Sequence, residues 1–221
     1  MSYYPVGQWA PWVSESISGM TCLNAANAAS ARLQAQREQL TRDWKVKSFY
    51  RVEDMDKIID QVFALLAKAK DDVTAAKNQG SFTLKSSEYA QWNEVTYQIL
   101  ARFSDARVFT QTIQNAKAKG IKVIDAPGFQ NWVEKSLMSV EGAVEVIACM
   151  KAIKPSIVTN LETIYDASRA LGSFIKTLVE AVIAFGQAVA NVPKTVADLW
   201  TIMKWGTVAI GGVWLYSKLR R

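Results

Sequence analysis

A chain of 221 residues with 50% apolar and 21% charged side chains has enough material for a core and is neither disordered nor collagenous in composition. It contains no histidine, the commonest acid/base group and metal ligand, and its two cysteines are too few for a cysteine zinc site or a multi-disulfide framework. A net charge of +6 suits an anionic surface, lipid or nucleic acid, without specifying either.

Residues 1–19, MSYYPVGQWAPWVSESISG, read as an aromatic N-terminal arm. Pro5, Gly7 and Pro11 interrupt any helix there, and with no basic region before them no secretory leader is expected. Tyr3, Tyr4, Trp9 and Trp12 are too dense to be left in water. The arm is therefore expected either to contact a neighbouring subunit or a bilayer interface, or to lie as a lid over its own bundle.

Residues 20–155 read as a four-helix body. The alanine-rich run from Thr21 to Phe49 predicts a first helix, ending in a basic group of Arg42, Lys45, Lys47 and Arg51. Ile58, Ile59, Val62, Leu65, Leu66, Ala69 and Val73 recur at helical spacing and predict a second helix from Glu53 or Asp54 to Asn78. A third is expected from Ser86 or Ser87 to Lys119, with Val95, Ile99, Phe103, Ala106, Phe109, Ile113 and Ala116 as its seam and Gly120 as its stop. Ile121 to Ile124 looks strand-like but has no evident partner, so it reads as a connection. Asp125 is expected to cap a fourth helix with Pro127 in its first turn, carrying Trp132, Val133, Leu137, Val140, Val144, Ile147 and Met150 inward to Lys154. Glu141 with Glu145, and Asp71 beside Asp72, are assigned to solvated helix faces. Cys22 and Cys149 are expected to be small buried thiols rather than a disulfide pair.

Residues 156–192 predict a long apolar helix entered at Pro155, with Glu162, Asp166, Arg169, Ser173, Thr177, Glu180, Gln187 and Asn191 forming one polar stripe. The stripe is expected to pack as a polar seam against the body, or to line a water-filled lumen. Residues 194–221 read as a hydrophobic tail helix with a basic terminus. At ~1.5 Å per residue, Leu199 to Ser217 would extend roughly 28 Å, close to the ~30 Å of a hydrocarbon core. Trp200, Lys204, Trp205, Trp214, Tyr216, Lys218, Arg220 and Arg221 have the placement of interfacial and headgroup anchors.

The fold expected from these elements is all-α: an elongated helical bundle with a long apolar C-terminal helix and a tail that spans or lies in a membrane. No phosphate-binding glycine loop, nucleophile elbow or triad is present, so a non-enzymatic protein with no cofactor, no metal and no small-molecule substrate is expected. The leading functional expectation is an oligomeric structural protein of a membrane-associated assembly, a virion component or a membrane scaffold. Its partners would be a lipid membrane and further copies of itself, and its body would be cytoplasmic in a cellular setting. The alternatives are a channel or pore-forming protein, and a soluble helical adaptor that binds protein or nucleic acid.

Overall fold

The structure is a computed structural model that describes residues 17–44, 49–80 and 86–190. Among these residues the chain forms six helices and one small ribbon: α1 (Ile17–Asp43), β1 (Phe49–Arg51), α2 (Val52–Gly80), α3 (Ser86–Asp105), α4 (Arg107–Ala118), β2 (Val123–Asp125), α5 (Phe129–Ile153) and α6 (Leu161–Ala190). The chain divides into two compact units, Met1–Thr177 and Leu178–Arg221. In the second unit, the described residues continue α6 from Leu178, which is half-buried, through the exposed Glu180 and Ala181.

The first unit is built around α5, against which α1, α2 and α3 all pack. Every residue from Ser139 to Glu145 is buried, so a helix with neighbours on several sides encloses polar positions along with apolar ones. Its expected apolar side is fully borne out, with Trp132, Val133, Leu137, Val140, Val144, Ile147 and Met150 all in the core. Residues Ile58, Ile59, Val62, Leu65, Leu66, Ala69 and Val73 of α2 meet it from one side.

At the N-terminal end of α5, Phe129 is completely buried in a cluster of aromatic rings. It stacks on Trp132 at 5.7 Å between ring centres and meets Trp44, Tyr50 and Phe109 edge-on at 6.2, 5.1 and 5.2 Å. Such edge and offset contacts add to the area the rings bury. The cluster joins α4, α5, β1 and the residue following α1 at one point.

Several local expectations are corrected. The first helix stops at Asp43, and Phe49 belongs to a strand. That strand is the partner which Val123–Asp125 lacked in the sequence reading: β1 and β2 pair antiparallel, Phe49 opposite Asp125, Tyr50 opposite Ile124 and Arg51 opposite Val123. Alternation turns Tyr50 into the aromatic cluster and leaves Phe49 and Arg51 outside. The Val52 amide donates to the Lys122 carbonyl at 2.9 Å and carries the pairing into the start of α2.

The single helix expected over Ser86–Lys119 is two, separated at Ala106. There the Trp132 indole donates to the Arg102 carbonyl at 3.0 Å, which also accepts from the Ala106 amide at 3.2 Å. Thr110 Oγ1 bonds back to the Ala106 carbonyl at 3.1 Å, an arrangement that bends helices. The expected stop does form: Gly120 takes φ 67°, with Gly120 N–H donating to Lys117 and Ile121 N–H to Ala116, a Schellman turn. Asp125 caps nothing. It ends β2, and Ala126-Pro127-Gly128-Phe129 forms a type II turn, Phe129 N–H to Ala126 O at 3.2 Å, with Gly128 at φ 84°. Pro155 likewise does not open α6 but lies in a turn closed by Ile157 N–H to Lys154 O at 3.1 Å.

Helix α6 starts at Leu161 because α2 holds the chain in front of it. The buried Asp72 carboxylate accepts the Asn160 amide at 2.8 Å, and the Gln79 side chain bonds both the N–H and the C=O of Val158, at 2.9 and 3.2 Å. Ile164, Tyr165, Ser168, Leu171 and Ile175 then turn into the core.

The membrane-spanning expectation is corrected here. Among the described residues no helix is long and apolar enough to cross a membrane. Residues 199–217, to which the sequence assigned the span, lie outside the described residues. The apolar side of α6 in the first unit is covered by the chain itself, with Ile164 and Leu171 at 0% exposure, and is not left for lipid or for other subunits. The readings that grew from that apolar surface, a membrane scaffold, a virion component, a homo-oligomer and a pore, lose their basis together with the membrane localisation.

Candidate functional site

The seam between α1 and α5 holds the most unusual chemistry. Antiparallel packing sets Trp44 of the chain just after α1 against Phe129, Arg37 against Glu134 and Glu141, and Ser30 against Glu145. Glu141 and Glu145, four residues apart on α5, are 1% and 3% exposed, which corrects their assignment to a solvated face. Asp72 is buried as well, whereas its neighbour Asp71 is exposed as expected.

Glu141 Oε1 accepts from Arg37 Nε at 2.8 Å, while its other oxygen is buried without a hydrogen-bond donor. Burial raises the Glu141 carboxyl above its usual range, and the Arg37 guanidinium opposes the rise. Glu145 has no such cation. Burial pushes it up to about 7, with the neighbouring Glu141 charge adding to the rise and the Ser30 hydroxyl opposing it. Cys149, the next position in this row of fours, was expected as a thiol and is disulfide-bonded; Cys22 is the only other cysteine in the chain.

A second feature lies on the outer side of α3 and α4. Tyr97, Leu100 and Val108 are 57%, 50% and 67% exposed. They fall on one line at steps of three and four that runs from Asn93 through Ser104 and Gln111 to Asn115, all exposed and none charged. The line is opposite in character to the seam Val95, Ile99, Ala106 and Ile113, which is buried as expected. In the sequence the exposed row is signalled only by apolar residues in excess of the number one helix face can bury.

The other predicted site residues are dispersed. Glu162, Asp166, Arg169, Ser173, Thr177 and Glu180 are all exposed. Their stripe is the solvent face of α6; Asp166 pairs with Arg169 at 3.3 Å on the same helix, and Glu162 reaches across to Arg32 of α1 at 3.0 and 3.3 Å. The Arg32 guanidinium also lies 3.8 Å above the Tyr165 ring. The Gln187 side chain and Asn191 lie outside the described residues, as do the proposed anchors Trp200, Lys204, Trp205, Trp214, Tyr216, Lys218, Arg220 and Arg221 and the arm residues Tyr3, Tyr4, Trp9 and Trp12.

The basic group does not assemble into a phosphate-contacting patch among the described residues. Arg42 ends α1, Arg51 is on β1 within 4 Å of Glu53 and Asp54, and Lys45 and Lys47 fall outside. The nucleic-acid option therefore gains no support from it. Among the described residues no group of three or more acidic or sulfur side chains is arranged to hold a metal. No family model matches the chain, and neither does any curated protein or solved structure.

Proposed function

We propose that the chain is a non-enzymatic helical adaptor that binds another protein through the outer face of α3 and α4. The observation that carries this is the uncharged line from Asn93 to Asn115, with Tyr97, Leu100 and Val108 open to solvent at its centre. At ~1.5 Å per residue the line extends roughly 16 Å on α3 and roughly 10 Å on α4, about three and two turns on either side of Ala106, enough for a partner helix to engage. The cores of contact surfaces are depleted in charge, and the seven residues of this line carry none. Its partner is expected to be apolar where it meets Tyr97, Leu100 and Val108, whose exposed side chains offer a charged group no counter-charge of their own.

The non-enzymatic part of the reading is supported by the burial of the two perturbed carboxylates. At 1% and 3% exposure Glu141 and Glu145 are out of reach of a substrate and serve packing. The test is a photo-crosslinking residue placed at Leu100, at Val108, or at the exposed Lys68 of α2, in cells that make the protein. One protein is expected to crosslink from both α3–α4 positions and not from Lys68. That protein, once purified, should bind the Leu100→Glu variant at least tenfold more weakly than the unaltered chain. Equal crosslinking from all three positions, or unchanged affinity of the folded variant, would reject the surface.

A further inference from the structure

Helix α1 has little apolar hold on the rest of the first unit. Among its described side chains only Ala26, Ser30 and Leu33 are buried, whereas α2 buries Met55, Ile58, Ile59, Val62, Leu65 and Leu66. Polar contacts and a covalent bond keep it in place instead. Arg37 Nε donates to Glu141 Oε1 at 2.8 Å and the guanidinium reaches Glu134 at 3.7 Å, while the Ser30 hydroxyl donates to Glu145. From α6, the Tyr165 hydroxyl donates to the Ala29 carbonyl at 3.0 Å and Ser168 Oγ to Gln36 Oε1 at 2.7 Å. Cys149, one turn beyond Glu145 on α5, is disulfide-bonded, and the other cysteine of the chain, Cys22, is on α1. Elements with few buried apolar contacts are the ones that open locally.

What α1 covers sets a condition on its opening. Glu141 Oε2 and Glu145 Oε1 are buried one turn apart, each without a hydrogen-bond donor. Arg37 answers Glu141, is shared with Glu134, and leaves Glu145 to a hydroxyl. Ionising both carboxyls therefore puts a charge in the closed seam that the seam does not compensate, whereas water reaches both once α1 has moved away. The surrounding charges offer no remedy. Glu38 of α1 adds like charge, Asp72 of α2 is held by the Asn160 amide at 2.8 Å, Arg102 of α3 lies 3.1 Å from Asp105, and Arg32 of α1 forms an exposed pair with Glu162 of α6. Burial raises Glu145 to about 7, so a held proton favours the closed seam at low pH and that advantage is lost as pH rises from an ordinary 4.5 to about 7. We infer that α1 is a releasable helix latched onto α5 by the Cys149 disulfide, and that reducing this bond frees α1 above neutral pH but not in acid. A dithiol supplies the two electrons and two protons that convert the bond to two thiols, and is itself oxidised to a cyclic disulfide.

Hydrogen exchange of the full chain, followed by mass spectrometry and corrected for the intrinsic pH dependence of amide exchange, tests it. The chain is reduced with a dithiol and moved without air into buffers at about pH 5 and about pH 8, on either side of the range over which the held proton is lost. After reduction, peptides within residues 24–39 are expected to lose at least about tenfold in protection between the two pH values while peptides of α2 keep theirs. In the oxidised chain α1 should stay protected at both. Glu145→Gln, whose neutral side chain stands in for the protonated carboxyl, should keep α1 protected at both pH values after reduction, and Glu162→Gln should open like the unaltered chain. The pH and redox arms use the unaltered chain, and so decide the question even where a variant does not fold. Parallel losses in α1 and α2 would show global unfolding and overturn the inference. So would protection of α1 that responds to neither pH nor reduction, or equal opening of Glu145→Gln and the unaltered chain.

Discussion

Helices α5 and α6 carry similar mixtures of apolar and acidic residues and meet opposite fates. On α5 the carboxylates of Glu141 and Glu145 are enclosed; on α6 those of Glu162, Asp166 and Glu180 are in water. The difference comes from the neighbours. Helix α5 is packed on by α1, α2 and α3. In the first unit α6 buries one side, through Ile164, Tyr165, Ser168, Leu171 and Ile175. A polar residue is exposed or buried according to how many elements surround its helix, and the helix's own pattern does not record that number.

The sharpest way to break this comparison is at the buried end of α5. Phe129→Ala removes the ring that joins the aromatic cluster and is expected to cost about 3–5 kcal/mol of unfolding free energy. Thr163→Ala at the exposed start of α6, where the hydroxyl bonds the Asn160 carbonyl at 2.7 Å, should stay within about 0.5 kcal/mol. Urea denaturation followed by near-ultraviolet circular dichroism measures both. Comparable losses would mean that α5 is not the centre of the core.

The disulfide comes next. Cys149→Ser is expected to lower stability by about 2–5 kcal/mol, and reduction of the unaltered protein should bring it to the same value. A peptide map made without reduction should recover the Cys149 peptide joined to the one that contains Cys22. Free thiols in the folded, unreduced protein would contradict the bond.

The smallest expected effect concerns the carboxylates themselves. Glu145 is raised to about 7 from an ordinary 4.5, so between those values the folded chain holds a proton that the unfolded chain has released. The contribution of this group to stability is therefore fully present below the lower value and declines as pH rises through the upper one, by at most on the order of 3 kcal/mol. Glu145→Gln should flatten the fall in denaturation midpoint that the unaltered protein shows between about pH 5 and about pH 8. Glu162 has the opposite sign, since its hydrogen bond with Arg32 holds its carboxyl below the usual range and favours the folded chain only while it is ionised. Because that pair is exposed and screened, Glu162→Gln should leave the midpoint where it is. A pH profile unchanged by Glu145→Gln would show that the seam admits water.

The helical character of the chain was legible because it is local. Apolar steps of three and four marked the buried rows of α2, α3, α4 and α5, and Gly120 marked a helix end by its left-handed conformation. The exposed line on α3–α4 was also present in the residues, in Tyr97, Leu100 and Val108 beyond the buried row. What could not be read depends on elements distant in the chain. Phe49-Tyr50-Arg51 looks like the end of a helix until Val123-Ile124-Asp125, more than seventy residues later, supplies the other half of its ladder. The break between α3 and α4 at Ala106 lies beside the Arg102 carbonyl that accepts from the Trp132 indole, a partner distant in the chain.

For this protein, then, the order of residues by itself determined which segments coil and which of their sides are apolar, since both follow from periods of a few residues and from the conformational freedom of single positions. Tertiary structure alone decided that Glu141 and Glu145 would be shut away while the α6 carboxylates stayed wet, and that the apolar side of α6 within the first unit would be covered from within. Burial is set by how many other elements converge on a surface, and that is a property of the assembled chain.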